Sequence, residues 1–359
     1  MKHEYSIAII GATGNAGHKT LQILEERNFP VFSVHLVASA GSVGKEMSFR
    51  NHTLKVQHFS DIDFSGIRLV FFCGGNALAQ QYICDVTKKG CVVVDKSSYF
   101  RLDPKVPLVI PEVNGDVLQK GAPLGIVSTP NCVATPLIMT LEALSHIASP
   151  KRAVVSTYQS VSGAGRRAID ELYIQTKSLL GGGGTVAAEI FPKRIAHNVI
   201  PVIGDILGNG ITEEEEKISF EVCKVLKSDV KIAVTCVRVP VFIGHCMSVA
   251  CEFKGPVSEN DAFEVLENLD GIICLDRRDN GGVFATPIDV QNEDAVYVSR
   301  IRRDHSVKNG LIYWIASDNL RKGAALNSVQ IAEEMIRRDP SLALFQRRNR
   351  LLSKHALFR

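Results

Sequence analysis

The first hundred residues alternate short apolar runs with glycine-rich turns and segments of helical spacing. The apolar runs occupy 5–10, 34–38, 68–72 and 91–94, and the helical segments cover 18–27 and the stretch up to Lys89. Short apolar strands separated by single helices are typical of βαβ units with a parallel sheet. We therefore predict an α/β fold with a doubly wound, Rossmann-type nucleotide domain in residues 1–131.

The pattern changes after a helix predicted at 136–147. Alternating strands follow at 153–159, 232–239 and 247–253, and a last helix is predicted at 324–338. This order favours a second α+β domain with an antiparallel or mixed sheet. We predict a nucleotide-binding domain of residues 1–131 and 324–359 and a catalytic domain of residues 132–323.

Composition and charge exclude several classes of protein. The chain has 359 residues, of which 45% are apolar and 22% charged, with a net charge of +3. These values exclude disorder as the main state and give no reason to expect nucleic acid or an anionic membrane as a partner. The uncharged stretch 121–141 contains three prolines, so a membrane helix is the poorer interpretation.

Nine cysteines are scattered without CxxC spacing, and no secretory signal opens the chain. The pattern predicts a reduced, cytoplasmic protein with no disulfide framework, zinc ribbon or other metal site.

Three glycines, Gly11, Gly14 and Gly17, follow the first strand and precede a helix. This spacing predicts a phosphate-binding turn, since glycine lets the backbone approach a pyrophosphate at a helix N-terminus. A tight turn without a ligand is the alternative. The second strand runs into 38–42 without an acidic residue to hold a ribose 2′-hydroxyl, which favours NADP over NAD.

Cys132 stands at a predicted junction between a strand and a helix, after Pro130 and Asn131. The dipole of a helix N-terminus favours a thiolate, so Cys132 is a candidate nucleophile, although most cysteines are structural. The other eight cysteines are predicted to belong to the core.

Arg238 precedes His245 by seven residues, across a proline and a glycine. A strand and turn of this length can bring both side chains to one cleft, where the arginine binds a carboxylate and the histidine moves a proton. Taken alone, the pair is better explained by a solvated arginine and a hydrogen-bonded core histidine. The acidic run 213–216 is typical of a helix start.

Taken together, these motifs resemble the aspartate-semialdehyde dehydrogenase family. The resemblance covers about residues 5–335 and rests on five motifs in one order, at 11–17, 130–132, 158–165, 236–245 and 318–327. It implies NADPH-dependent reduction of L-aspartyl-4-phosphate to L-aspartate 4-semialdehyde, with release of phosphate. It also implies a role in the biosynthesis of lysine and diaminopimelate, threonine and methionine, and a homodimer joined through the second domain.

The resemblance assigns a role to individual residues. It implies that Cys132 forms a thioester, that His245 is the acid/base group and that Gln159 orients the intermediate. The residues implied to bind substrate are Arg238 for its carboxylate, Glu214 for its amino group, and Arg101, Asn131 and Lys217 for its phosphate. The positions implied to bind NADP are Gly11, Thr13, Gly14, Asn15, Ala16, Ser39, Gly74, Gly163 and Asn319.

The chain departs from the family pattern at three places. Gly41 stands where many members carry an arginine suited to the 2′-phosphate, and Lys96 stands where an asparagine is common. The alignment of Glu214 needs a one-residue gap, which leaves Glu213 and Glu215 as alternatives.

Two other functions remain as alternatives. An N-acetyl-glutamyl-phosphate reductase would share the nucleotide fold and the cysteine, but its acetylated substrate carries no charge for Glu214 to meet. A nucleotide-binding paralogue without catalysis would be expected to lose the nucleophile or the base, and Cys132 and His245 are both present.

Overall fold

The computed structural model describes residues 4–184, 186–278 and 282–347. The chain divides into two compact units, residues 1–130 with 327–359, and residues 131–326. The helices are α1 Asn15–Glu26, α2 Asn76–Lys88, α3 Pro111–Asn114, α4 Ala134–Ser145, α5 Arg166–Leu180, α6 Glu213–Leu226, α7 Glu259–Glu267 and α8 Leu326–Arg338.

The strands of the first unit are β1 Tyr5–Ile10, β2 Val31–Ala38, β3 Glu46–Phe49, β4 His52–Lys55, β5 Gln57–His58, β6 Leu69–Phe72, β7 Val92–Asp95 and β8 Ile126–Ser128. The strands of the second unit are β9 Pro150–Gln159, β10 Lys231–Arg238, β11 His245–Phe253, β12 Ile272–Cys274, β13 Val296–Arg303 and β14 Gly310–Ser317.

The first unit is built on a parallel sheet in the order β5-β2-β1-β6-β7-β8. Every residue of β6 and β7 is buried, as expected for central strands that are covered on both faces. The order turns in opposite directions from β1, toward β2 and toward β6. The carboxyl ends beside such a switch point are where ligands bind in open α/β sheets. The predicted Rossmann-type fold is confirmed.

The glycine turn is shorter than the sequence pattern predicts. Helix α1 begins at Asn15, three residues before the predicted start, and Gly17 lies within its first turn. A β-carbon at Gly17 would lie 2.2 Å from the Gly11 carbonyl oxygen. The missing side chain therefore lets the helix start directly against the turn.

The second unit is built on a six-stranded mixed sheet in the order β10-β9-β11-β14-β13-β12. Strands β9 and β10 run parallel, as do β12 and β13, whereas the three pairs between them are antiparallel. Of the two arrangements left open by the sequence, the sheet adopts the mixed one.

The two faces of this sheet differ in exposure. Along β9, Val155 and Thr157 are buried, whereas Val154 and Tyr158 are each 38% exposed. Tyr158 contacts Trp314 on β14, with ring centroids 5.3 Å apart. One face therefore belongs to the core, and the other presents aromatic side chains outside it.

Two helix boundaries and part of the cysteine prediction need correction. Helix α4 covers Ala134–Ser145 rather than 136–147, and α8 begins at Leu326, after a π-helical turn at Arg321–Ala325. Four of the eight cysteines predicted to be core are buried, but four are only partly buried, namely Cys73, Cys84, Cys223 and Cys274. An apolar neighbourhood in sequence does not determine which side of its element a residue occupies.

The uncharged stretch 121–141 contains β8 and the first turns of α4. Within the part of the chain that the structure describes, no helix combines the length and the apolar character needed to cross a bilayer.

Candidate active site

Three strand ends bring the candidate catalytic residues of the second unit together. Gln159 ends β9 and pairs with Arg238, which ends the parallel strand β10. His245 begins β11, the antiparallel neighbour on the other side of β9. The mixed sheet therefore gathers three side chains that are up to 86 residues apart in sequence at one edge.

Gly163 lies between the arginine and the histidine. A β-carbon built there would lie 3.2 Å from Arg238 Nη1, 3.2 Å from His245 Nε2 and 3.3 Å from His245 Cε1. Both side chains therefore approach the backbone at the same point, and a larger residue at 163 would push against them. The structure brings the Arg238 and His245 side chains together beside Gly163.

His245 is fully buried, and its two ring nitrogens have different surroundings. Nδ1 accepts a hydrogen bond from the backbone N–H of Ser160 at 3.0 Å and also lies 3.0 Å from the Ser160 hydroxyl oxygen. Nε2 is buried and has no hydrogen-bond partner among the described residues. Burial, together with the Arg238 charge, holds the pKa of His245 well below its usual range, and a backbone interaction with Gly244 only partly offsets this.

Arg238 is held by the same peptide segment. Its Nη1 donates to the Ser160 carbonyl oxygen at 2.7 Å, and its guanidinium lies 5.8 Å from the centroid of the Phe191 ring. Burial lowers the pKa of Arg238, whereas Cys132 and Glu214 act in the opposite direction. An arginine this well buried is suited to a desolvated carboxylate.

Cys132 lies at the start of α4, in a turn closed by its neighbour Asn131. The Asn131 Oδ1 accepts from the N–H groups of Val133 at 2.7 Å and Ala134 at 3.4 Å. On the other side, a β-carbon at Gly323 would lie 2.9 Å from Cys132 Cβ. Cys132 is partly exposed and lies at the start of a helix, where the helix dipole favours a thiolate.

Three of the four glutamates at the start of α6 have different partners. Glu215 forms a capping box with Thr212 and also accepts from the Cys236 N–H, so it belongs to the helix start. Glu213 forms an ion pair with Lys217 at 3.0 Å. Glu214 accepts from Asn131 Nδ2 at 2.9 Å and acts on Arg238. Of the three alternatives, Glu214 is therefore the carboxylate directed toward the Cys132 and Arg238 cluster.

The three residues that the resemblance assigns to phosphate binding have other contacts here. Asn131 accepts from the N–H groups of Val133 and Ala134 and donates to Glu214, and Lys217 is paired with Glu213. Arg101 belongs to the first unit, is 7% exposed and donates from Nη2 to the Lys96 carbonyl oxygen at 2.8 Å.

The predicted cofactor residues of the first unit meet at one edge of its sheet. Gly11 follows β1, Ser39 follows β2 and Gly74 lies after β6, and these three parallel strands are neighbours. A β-carbon at Gly11 would lie 2.8 Å from the Cys73 carbonyl oxygen, and Thr13 Oγ1 lies 3.2 Å from Ser42 Oγ. Glycine backbone beside the N-terminus of α1, at a switch point, fits a pyrophosphate.

The loop after β2 carries no carboxylate. Residues 39–41 are exposed, and a β-carbon built at Gly41 would meet nothing within 4 Å. Residues 39–45 of this loop include no acidic residue to repel a ribose 2′-phosphate and no arginine to bind it.

Gly163 and Asn319, the two remaining predicted cofactor positions, lie in the second unit. The Asn319 Oδ1 accepts from Ser160 Oγ at 3.1 Å, from Ser162 Oγ at 3.1 Å and from the Gly244 N–H at 3.0 Å. Asn319 is therefore hydrogen-bonded to three residues that lie around His245.

Sequence reasoning missed the residues that support the cluster. Ser160 contacts both Arg238 and His245, Gly323 packs on Cys132, and Glu221 Oε2 accepts from the Asn131 N–H at 2.5 Å. All three lie in or beside the motifs already recognised or on α6, but a motif alone does not distinguish a supporting residue from a reacting one.

Two family models match the chain and identify the class of protein as a semialdehyde dehydrogenase. The family model described as semialdehyde dehydrogenase, NAD binding domain, matches residues 6–121. The one described as semialdehyde dehydrogenase, dimerisation domain, matches residues 141–322.

Similar proteins and solved structures named aspartate-semialdehyde dehydrogenase identify the family within this class. The Rickettsia bellii protein is 48% identical, with 94% of this chain and 99% of that protein covered. The Aquifex aeolicus protein is 41% identical, with 93% and 98% covered. The crystal structure of aspartate semialdehyde dehydrogenase II from Vibrio cholerae is 38% identical, with 93% and 99% covered and a TM-score of 0.90. The chain belongs to the aspartate-semialdehyde dehydrogenase family.

Proposed function

We propose that the chain catalyses the NADPH-dependent reductive dephosphorylation of L-aspartyl-4-phosphate to L-aspartate 4-semialdehyde, in the biosynthesis of lysine, threonine and methionine. One observation carries this proposal beyond the family. Arg238 Nη1 and His245 Nε2 approach the same backbone position, Gly163, and the charge of Cys132 acts to raise the pKa of Arg238. This arrangement supports the proposal that Cys132, Arg238 and His245 act together, as nucleophile, carboxylate-binding cation and proton-carrying group.

Cys132 is the proposed nucleophile. Its sulfur attacks the acyl carbon of the substrate, the bond from that carbon to the phosphate oxygen breaks, and phosphate leaves with the bonding electrons. The product is a thioester on Cys132. The start of α4, whose geometry Asn131 fixes, favours the thiolate that this step needs.

NADPH, when bound, supplies the hydride that reduces the acyl carbon. Gly11, Gly14 and the start of α1 would hold its pyrophosphate, and Ser39 would lie toward its ribose. The other residues proposed to bind it are Thr13, Asn15, Ala16, Gly74, Gly163 and Asn319.

His245 and Gln159 are proposed to act on the reacting oxygen. His245 serves as the acid/base group, and its buried Nε2 is available to a substrate atom. Gln159 is 1% exposed and would orient the acyl group from the end of β9.

Substrate selection is proposed to rest on charge. Arg238 would bind the α-carboxylate through two parallel hydrogen bonds, and Glu214 would meet the α-ammonium group. Arg101, Asn131 and Lys217 would bind the phosphate. The glutamate also separates this reaction from reduction of an N-acetylated substrate, whose nitrogen carries no charge for a carboxylate to attract.

The second unit is proposed to join two copies of the chain. This proposal is supported by the match to a dimerisation domain and by the open face of the mixed sheet, which presents Val154, Tyr158 and Trp314. Burial of such a face by a second copy removes apolar area from water. All nine cysteines are free thiols, which is compatible with the reduced cytoplasm we propose as the location.

The reverse reaction provides the test. Purified protein is mixed with aspartate semialdehyde, phosphate and NADP, and absorbance of NADPH is followed. We expect NADPH to form only when phosphate is present. Activity with N-acetyl-glutamate semialdehyde in preference to aspartate semialdehyde would replace the proposal with the acetylated-substrate reductase, and no activity with either would favour a non-catalytic paralogue.

A further inference from the structure

Ser160 contacts both Arg238 and His245, although no role was predicted for it. Its backbone N–H donates to His245 Nδ1 at 3.0 Å, and its carbonyl oxygen accepts from Arg238 Nη1 at 2.7 Å. Its hydroxyl oxygen lies 3.0 Å from the same Nδ1. Ser160 itself is fully buried.

The direction of the backbone contact determines where the imidazole carries its proton. A backbone N–H can only donate, so the nitrogen that faces it must offer a lone pair. In the neutral ring the single proton then lies on the other nitrogen, Nε2. This is the nitrogen that is buried without a hydrogen-bond partner among the described residues and that lies near Gly163.

The Ser160 hydroxyl oxygen can also form a hydrogen bond with His245 Nδ1, and it can accept a proton from that nitrogen. Ser160 Oγ is within hydrogen-bond distance of Ser162 Oγ at 3.0 Å and donates to Asn319 Oδ1 at 3.1 Å. With its proton directed to Asn319, the oxygen keeps a lone pair for Nδ1. A ring that takes a second proton at Nδ1 can donate it there, whereas the backbone N–H alone would oppose it.

We propose that Ser160 is a positioning residue that controls the protonation of His245. Its N–H holds the neutral ring as the Nε2–H tautomer, and its hydroxyl oxygen accepts the Nδ1 proton of the charged ring. The resting imidazole therefore presents a hydrogen-bond donor to the substrate, and Nε2 gives up or takes a proton only while Nδ1 carries one, bonded to the Ser160 hydroxyl oxygen. This inference rests on the proposed function for one point only, namely that the atom facing Nε2 is an oxygen that gathers negative charge at the acyl carbon.

The charged surroundings of the ring favour this resting form. Arg238 on β10 is the charged group that acts on His245, and its positive charge opposes a second proton on the ring. The neighbours from the segment after β9 and from the turn after β14, Ser160 and Asn319, are uncharged. The charges of Cys132 and Glu214 act to raise the pKa of Arg238.

The first experiment observes the tautomer directly. Full-length protein labelled with ¹⁵N in its histidine rings is studied by long-range ¹H–¹⁵N correlation NMR. Spectra are recorded from about pH 6 to about pH 8, which covers the ordinary pKa of histidine. The His245 signals are assigned from their loss in His245→Gln. We expect Nδ1 without a proton and Nε2 with one. A neutral ring protonated at Nδ1, or an imidazolium in the resting protein, would overturn the proposal. This result does not depend on which substrate the enzyme uses.

The second experiment tests the hydroxyl with a matched pair of variants. Ser160→Ala and Ser162→Ala each remove one hydroxyl from the same buried network, but only the first touches His245. A hydrogen bond of ordinary net strength corresponds to roughly a 2- to 13-fold effect. We expect Ser160→Ala to lower kcat by this factor with KM values nearly unchanged, and Ser162→Ala to lower kcat by less than about twofold.

An unchanged kcat in Ser160→Ala, or an equal loss in both variants, would contradict the role of the hydroxyl. Wild-type protein without activity on aspartate semialdehyde would instead count against the proposed function and leave the tautomer result standing.

Discussion

Gly323 packs so closely on Cys132 that a β-carbon at residue 323 would lie 2.9 Å from Cys132 Cβ and 3.1 Å from its carbonyl oxygen. Gly323 belongs to the π-helical turn that precedes α8. The position of the candidate nucleophile is therefore determined from two sides, by the cap of α4 and by a turn nearly 200 residues further along the chain.

This contact predicts the effect of adding one methyl group. Gly323→Ala must displace Cys132 or its backbone, and a displacement of about 1 Å can cost on the order of 100-fold in rate. We expect kcat to fall by at least about tenfold, measured in the phosphate-dependent assay. Gly208→Ala, in the same unit but with nothing within 4 Å of the new carbon, is the control. A folded Gly323→Ala variant with full activity would show that Cys132 does not need this position.

Replacement of the nucleophile gives the second prediction. Cys132→Ser should lose several orders of magnitude in kcat, because a hydroxyl is far less ionised than an activated thiol at neutral pH. Mass spectrometry of the intact wild-type protein after addition of substrate should reveal one acyl adduct, mapped to Cys132. An adduct on another of the nine cysteines would assign the chemistry elsewhere.

The third prediction concerns the shape of the cation at residue 238. Lysine keeps the charge but not the planar fork, and it cannot both reach the Ser160 carbonyl oxygen and hold a carboxylate with two parallel bonds. Arg238→Lys should lower kcat/KM for aspartate semialdehyde by roughly 10- to 150-fold, the range for hydrogen bonds to charged groups. The KM for NADP should stay nearly constant. Arg152→Lys, on the exposed part of β9, is the control, and a similar loss there would remove the argument for a carboxylate site.

The two neighbouring glutamates of α6 allow a matched test of amine recognition. Glu214→Gln keeps an oxygen for Asn131 Nδ2 but removes the negative charge, whereas Glu213→Gln removes only the ion pair with Lys217. We expect Glu214→Gln to raise KM for aspartate semialdehyde and to leave KM unchanged for succinate semialdehyde, which lacks the amine. If Glu213→Gln has the larger effect on the amino substrate, the assignment belongs to the neighbouring residue.

Cofactor choice can be changed at Gly41. The position is exposed, its φ is compatible with any residue, and a side chain there meets nothing within 4 Å. The wild-type protein should prefer NADP over NAD, and Gly41→Arg should increase the preference by about 10- to 150-fold through a charged contact with the 2′-phosphate. Gly41→Glu introduces a negative charge instead and should weaken the binding of NADP. Equal kcat/KM ratios in all three proteins would place the 2′-phosphate away from this loop.

The alternation of apolar runs was sufficient to predict the parallel sheet of the first unit, since β6 and β7 are buried on both faces and must be apolar throughout. It was not sufficient for the start of α1. Asn15 and Gly17 are poor helix formers, and the helix extends over them because Gly17 packs on the Gly11 carbonyl. Local propensity contains no information about such a contact.

The candidate site was predictable to the extent that its residues lie in motifs. Arg238 and His245 were identified by their spacing and by resemblance, but their separation in space depends on the order β10-β9-β11. The support from Ser160 could not be predicted, because two of its three contacts with Arg238 and His245 come from the backbone, which carries no signature in the sequence.

Those two backbone contacts have a consequence for how the protein tolerates mutation. Every amino acid except proline brings the same N–H to position 160, and every amino acid brings the same carbonyl. The orientation of Arg238 and His245 is therefore set by the path of the chain, and a change of side chain at 160 acts on the protonation of His245 without separating the two groups. In a library of all single substitutions at this position, proline should be the most damaging, and the remaining variants should differ in how well they fit the buried space and in whether they offer a hydroxyl to His245 Nδ1.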